Sequence, residues 1–208
     1  MALRIAIAAW LALYIPVYSR AYGGWHFLQL CDLSVLLACL GALLGSRLLL
    51  SAQALGAPAI ALLWLADLAW FAATGHYLHG GTAYLWDGTV PAAARLLSLF
   101  HLVLPLLLVM YLRRHGYDRR ALPLQAAVSA LAIAVSLLGL HGFGNLNYVN
   151  AWPGGGAVLP KLPGAHAFAG WLVLCVAIYF PTHLLWQQLF GENSRRAVKL
   201  RAAPHPLR

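Results

Sequence analysis

Charge is what this chain has least of. Asp, Glu, Lys and Arg make up 9% of its 208 residues, and only 5 of those charges are acidic. Soluble domains carry about 25% charged residues. With 62% apolar residues and a mean hydropathy of +0.75, the composition excludes an ordinary soluble domain and requires a polytopic membrane protein. Cysteine is also scarce. Cys31, Cys39 and Cys175 are an odd number, which does not make a disulfide framework. Cys31 and Cys39 are separated by about 12 Å of helical rise, too far for a bond. Cys39 and Cys175 lie in apolar runs without nearby charge and read as small core residues. The chain lacks C-x-x-C-H, which excludes covalent haem by that motif, and lacks the H-E-x-x-H zinc pattern. It shows no internal repeat, no low-complexity tract and no second domain.

What is present is a series of apolar runs near the roughly 20 residues that a span needs. They cover 2–18, 26–45, 48–74, 91–112, 121–141 and 166–190. The expected fold is therefore an all-α, polytopic transmembrane helix bundle of about six spans, a single membrane domain with a basic tail over 191–208. The first run, with Arg4 ahead of it, resembles a signal-peptide core, but YSRAYGG offers no A-x-A cleavage site and the run reads as an uncleaved span. If both termini are cytoplasmic, eleven of the basic residues lie inside, including those of RRHGYDRR and the tail, against Arg20, Arg95 and Lys161 outside. The positive-inside rule then gives an N-in, C-in protein, expected in the cell inner membrane. Basic clusters beside spans meet anionic lipid. Without an aromatic-basic groove motif they do not indicate nucleic acid.

Four embedded polar residues stand out. Cys31, Asp32, Asp67 and His101 fall in three runs, and helical rise places Cys31 roughly 8 Å, Asp67 about 10 Å and His101 about 15 Å below the outer surface. An ionisable residue costs about 2.5 to 3.5 kcal/mol in a span, so such a cluster points to function. Cys31 is either a buried thiol or a nucleophile needing a base such as His101. Asp32 and Asp67 either lock helices or serve a site, and Arg95 is their candidate partner. Neighbouring Cys31 and Asp32 diverge by about 100° on a helix, so one is expected to line the site while the other braces a helix. His101 precedes Pro105 by one turn, where a kink would open the helix beside the imidazole. In the 75–90 loop, His76, His79 and Asp87 are either weak zinc ligands or, with Tyr77, Tyr84 and Trp86, interfacial anchors. In the 142–165 loop, Asn145, Asn147, Tyr148 and Asn150 form NLNYVN, whose groups hold a headgroup or oxyanion, or close turns. His183 and Gln187 are expected to reach the cytoplasmic interface.

WHFLQLCDLSVLL, RLLSLFHLVLP, GYDRRALPLQ and NLNYVNAW together resemble a widespread bacterial family of small six-span integral membrane proteins of unassigned function. More distantly, the order of an L-x-L-C-like segment, a later span histidine and an N-x-N-Y segment resembles the YwaF-like membrane proteins, whose eukaryotic relatives are transmembrane phospholipid acyltransferases. That resemblance implies an acyl-carrying Cys31 with His101 as its base. The histidine that usually stands just before the cysteine is Gln29 here.

Two functions follow. The first is lipid-directed acyl transfer or hydrolysis near the outer leaflet, with Cys31, His101 and Asp67 catalytic and Asp32, Arg95, Asn145, Asn147 and Tyr148 binding membrane lipid. The second is a non-catalytic accessory or assembly subunit with a partner membrane protein, or a small transporter. No cofactor is specified by the sequence, and no metal site is assigned.

Overall fold

The computed structural model describes residues 1–139, 145–149 and 163–191, all helix, turn and loop without a strand among them. Most of the 142–165 loop, including Asn150 and Lys161, and the basic tail from 192 onward lie outside the described residues.

Eight helices follow in order: α1 (Ala2–Tyr22), α2 (Leu30–Leu44), α3 (Arg47–Thr74), α4 (Ala92–Leu97), α5 (Phe100–His115), α6 (Ala121–Leu138), α7 (Pro163–Val173) and α8 (Phe180–Phe190). Five helical stretches are long and apolar enough to cross a membrane, counting α4 with α5 and α7 with α8 as one stretch each. The remaining run, 26–45, holds the short helix. α2 has 15 residues, about 22 Å of rise, preceded by a 3-10 turn at Gly24–Leu28.

The surface and interior are inverted relative to a soluble protein. Leu62, Trp70, Leu106, Met110, Leu131 and Phe168 are each at least half exposed, while Asp32, Gln53, Asp67, Ser98, Gln125 and His166 are at most 2% exposed. Apolar side chains on the outside and hydrogen-bonded polar ones within is the arrangement that a lipid solvent selects.

α3 is the central helix, packed on α2, α5 and α6. The α2–α3 hairpin is set by local chemistry. Gly45 takes the left-handed conformation (φ 64°), the Ser46 N–H bonds back to Gly41 O at 2.8 Å, and Ser46 Oγ caps α3 by accepting from Leu49 N. Gly75 (φ 73°) ends α3 in the same way.

The break in the fourth run falls at Ser98–Leu99, ahead of Pro105, and α5 runs through the proline. Around the break the bonds tighten to three-residue spacing, as Leu99 N–Leu96 O and His101 N–Ser98 O show. The last run contains a π-helical stretch at Leu174–Tyr179 just before Pro181. Proline cannot donate to the carbonyl four residues back, and a widened turn absorbs that loss.

The chain ends of these elements sort to two poles. One pole gathers the start of α3, the 117–120 loop and the end of α8: Asp118 N bonds to Ser51 Oγ, Tyr117 N to Phe190 O, and the Tyr117 hydroxyl to His183 Nδ1 at 2.6 Å. His183 and Gln187 pair there, so both stand at the pole opposite the cavity. The other pole carries Gly24–Leu28, the 75–90 loop and Asn145–Val149.

Candidate functional site

At the second pole a cavity of about 800 Å³ opens among α1, α2, α3, α5, α6 and α7. Its size is within the range of small-molecule sites. Cys31, Asp32, His101, Asn145, Asn147 and Tyr148 all line it, so six of the eight residues expected to be catalytic or lipid-binding share one space, and Asp67 and Arg95 do not. Ile60, Ile133, Val173, Leu174 and Ile178 make much of the remaining wall apolar, and the last two belong to the π-helical stretch.

One wall is the first turn of α2, where a helix N-terminus favours negative charge. Asp32, 1% exposed, accepts from the Tyr14 hydroxyl at 2.5 Å through Oδ1. Its Oδ2 lies 3.2 Å from His26 Nε2 and accepts the Cys31 thiol at 3.6 Å. The two neighbours therefore do not divide their work as helical divergence suggests. Asp32 braces α1 and meets Cys31 at once, because the cavity is wide enough to take two successive positions of the turn. His26 arrives through the Gly24–Leu28 turn, closed by Gln29 N–His26 O at 2.9 Å, and its ring stacks on Tyr22 at 4.5 Å.

The facing wall carries His101, 8% exposed and held between Trp64 (centroids 5.0 Å, 3° apart) and Phe100 (4.2 Å). Its Nδ1 is 2.8 Å from Ser98 O. A carbonyl only accepts, so Nδ1 carries the hydrogen and Nε2 presents a lone pair. Cys31 and His101 also border one small void beside Phe100, Leu104 and Pro105. No hydrogen bond joins the two among the described residues. The thiol points to Asp32.

Asp67 is fully buried and does not line the cavity. Its Oδ1 accepts from His79 N (2.8 Å) and Gly80 N (3.1 Å), and Oδ2 from Thr82 N (2.8 Å) and Thr82 Oγ (2.6 Å). Four donors fill the four lone-pair positions of a carboxylate. Asp67 thus fixes the His79–Thr82 segment, which supplies His79, Gly80 and Gly81 to the cavity rim. Both nitrogens of His79 are engaged, Nδ1 accepting from Gly81 N at 3.2 Å and Nε2 donating to Leu63 O at 3.2 Å. Among the described residues no three His, Cys, Asp or Glu side chains gather as metal ligands. On the cavity wall, burial raises the Tyr84 phenol, which accepts from Trp64 Nε1, and further along the loop Thr89 lowers the exposed Asp87 carboxyl by hydrogen bonding.

Arg95 does not pair with either buried carboxylate. Its Nη1 donates to Leu85 O at 3.1 Å, and its buried Nε has no partner among the described residues.

Asn147 is the clip between the two short segments of this pole. Its side chain accepts from Leu30 N (2.9 Å) and donates to Leu28 O (2.8 Å) and Ser136 Oγ (3.0 Å), and its N–H donates to Gln29 Oε1 (2.8 Å). Asn147 (φ 52°) is left-handed, as asparagine tolerates, and so is the bulkier Tyr148 (φ 56°), whose carbonyl accepts from His166 Nε2. Gln29, standing where the resemblance expects a histidine, is thus a structural partner of Asn147.

His26, Tyr14, Ser98 and Trp64 were not signalled as site residues by the sequence. For His26 the only cue was the Gly23–Gly24 pair, which marks a turn that brings it back over α2.

Comparison with protein-family models, with curated proteins and with solved structures finds no match.

Proposed function

We propose that the protein is a multi-pass inner-membrane enzyme that transfers or hydrolyses acyl groups of membrane lipids, using Cys31 as nucleophile and His101 as general base. One observation carries this reading: a thiol and an imidazole with a bare Nε2 share a mostly apolar cavity large enough for a lipid portion. An activated nucleophile needs a base within reach of the reacting atoms, and an acyl chain needs apolar walls. Asp67 positions the rim, Asp32 meets the thiol, and the headgroup contacts fall to Asn145 and Tyr148 on the cavity wall, with Arg95 outside that wall beside Leu85 O. We count α2 as the sixth span: its 15 residues rise about 22 Å, and the Gly24–Leu28 turn folds over its N-terminal end at the cavity pole. The charge distribution supports N-in, C-in, with the cavity pole outside.

The second reading, a non-catalytic accessory or assembly subunit or small transporter, is favoured by Asp67 and Asn147, which spend their polar groups on holding chain segments.

The two are separated by incubating the purified protein in phosphatidylethanolamine and phosphatidylglycerol vesicles and measuring lysophospholipid and acylated product by mass spectrometry. General base and nucleophile losses predict a fall of about 10² or more for Cys31→Ser and His101→Gln. Lipid turnover absent, or equal in all three proteins, refutes the enzymatic reading.

A further inference from the structure

The geometry points to Asp32 as the group that takes the proton of the Cys31 thiol, with His26 as the positioning residue behind it. This inference rests on the acyl-transfer reading and assigns its first proton. Three distances support it. The Cys31 sulfur is 3.6 Å from Asp32 Oδ2, the same oxygen is 3.2 Å from His26 Nε2, and Oδ1 is fixed at 2.5 Å by the Tyr14 hydroxyl. A nucleophile, a carboxylate that touches it and an imidazole that touches the carboxylate form a chain along the cavity wall, which all three residues line. His101 borders a small void with Cys31, but among the described residues no hydrogen bond joins the two, and the His101 ring is bonded to Ser98 O.

The steps balance as follows. The thiol proton passes to Asp32 Oδ2 and is shared with His26 Nε2, while the sulfur forms a bond to the ester carbonyl carbon. The carbon–oxygen bond of the ester breaks, and the departing alkoxide takes that proton and leaves as an alcohol. In the second half, water or an acceptor alcohol gives its proton to His101 Nε2 as its oxygen attacks the thioester carbon. The carbon–sulfur bond breaks and the sulfur recovers the proton. The acyl group has moved between oxygens with no net change in electrons.

The groups facing this pair are few. Tyr14, Tyr18 and Tyr22 from α1 and His26 from the turn face Asp32. Tyr84, Tyr148 and His101 share the cavity wall with Cys31, and His101 also borders a small void with it. Phenols ordinarily ionise near 10, so between pH 5 and 9 the carboxyl and the two imidazoles dominate the profile, and His101→Gln separates the second imidazole from the first.

The test uses p-nitrophenyl butyrate and the full chain carrying Cys39→Ala and Cys175→Ala, so that the burst of p-nitrophenolate reports Cys31 alone. An unassisted thiol reacts through its thiolate fraction, and its burst rate climbs about tenfold per pH unit until it titrates. With Asp32 as internal base, the rate stays within about twofold from pH 6.5 to 8.5. Asp32→Asn converts this plateau to a tenfold-per-unit climb and slows the burst at pH 6.5 by about 10². His26→Gln, which leaves Cys31 and Asp32 in place, shifts the acid limb of the profile, a change that a purely packing role does not produce. Four results overturn the proposal: a climbing profile in the parent protein, no burst at any pH, a faster burst in Asp32→Asn, or a plateau abolished by His101→Gln but not by Asp32→Asn. A faster Asp32→Asn burst means that the carboxylate merely repels the thiolate. The readout does not depend on the natural lipid, so a plateau without lipid turnover leaves the relay standing and removes the lipid substrate.

Discussion

Replacing Asp67 by asparagine isolates the loop-holding role of that carboxylate. Asn keeps the shape and one acceptor oxygen, but the other oxygen becomes an amide donor. If the amide oxygen keeps the His79 and Gly80 amides, the new N–H₂ faces Thr82 N and Oγ, which sit 2.8 and 2.6 Å from Oδ2. At least one bond to a charged group is lost and a buried donor is stranded. At about 1.5 to 3 kcal/mol for the first and 1 to 3 for the second, the rim segment loses about 2.5 to 6 kcal/mol. That raises its opening constant by roughly two to four orders of magnitude. The assay is native-state amide exchange in nanodiscs, read at His79, Gly80 and Thr82, with Asp118 N, bonded to Ser51 Oγ at the opposite pole, as the internal control. The expected result is faster exchange at the rim and an unchanged control. Unchanged rim amides refute the idea that Asp67 holds this segment, and equal acceleration at Asp118 means that the substitution acts on the whole bundle.

Other outcomes follow from the same structure. Asn147→Asp keeps the bond from Leu30 N but sets an oxygen against Leu28 O and Ser136 Oγ, and thermal unfolding is expected to show a loss of about 2 to 4 kcal/mol; an unaltered melting temperature contradicts the clip. Gly56→Leu is expected to cost about 1 to 3 kcal/mol, because even a Cβ there meets Tyr179 Cε1 at 3.2 Å, and a variant as stable as the parent rules out that close approach. Asp118 is held below the usual carboxylate range by its hydrogen bonds to Arg120. Its contribution is therefore present above the unfolded pKa near 4 and is lost as pH falls through the lower folded value. Unfolding followed from pH 7 to 3 is expected to show a pH-dependent loss at the acid end that Asp118→Asn lacks.

The helical runs were legible because lipid imposes length and polarity on each segment, and α1, α3 and α6 begin within a residue or two of the sequence boundaries. α2 was not, since a 3-10 turn consumes its first residues and composition does not distinguish the two helix types. The break at Ser98 was displaced from Pro105 because the His101 ring and the tightened backbone turn both draw on the Ser98 carbonyl, a side-chain effect invisible to periodicity. Depth along the helices brought Cys31 and His101 to one level, and the structure does put them on one cavity. Rotation about the helix axis was not legible. It turned Asp67 toward the 75–90 loop and Asp32 toward Tyr14 and His26, so that neither meets Arg95.

The most direct measurement of the acyl-transfer claim is intact-protein mass spectrometry after incubation in vesicles of a single dioleoyl phospholipid, followed by peptide mapping. The account predicts one oleoyl adduct on Cys31, removed by neutral hydroxylamine as a thioester must be, and absent in Cys31→Ser. An unmodified Cys31 at every time point, in protein that retains its fold, would contradict it.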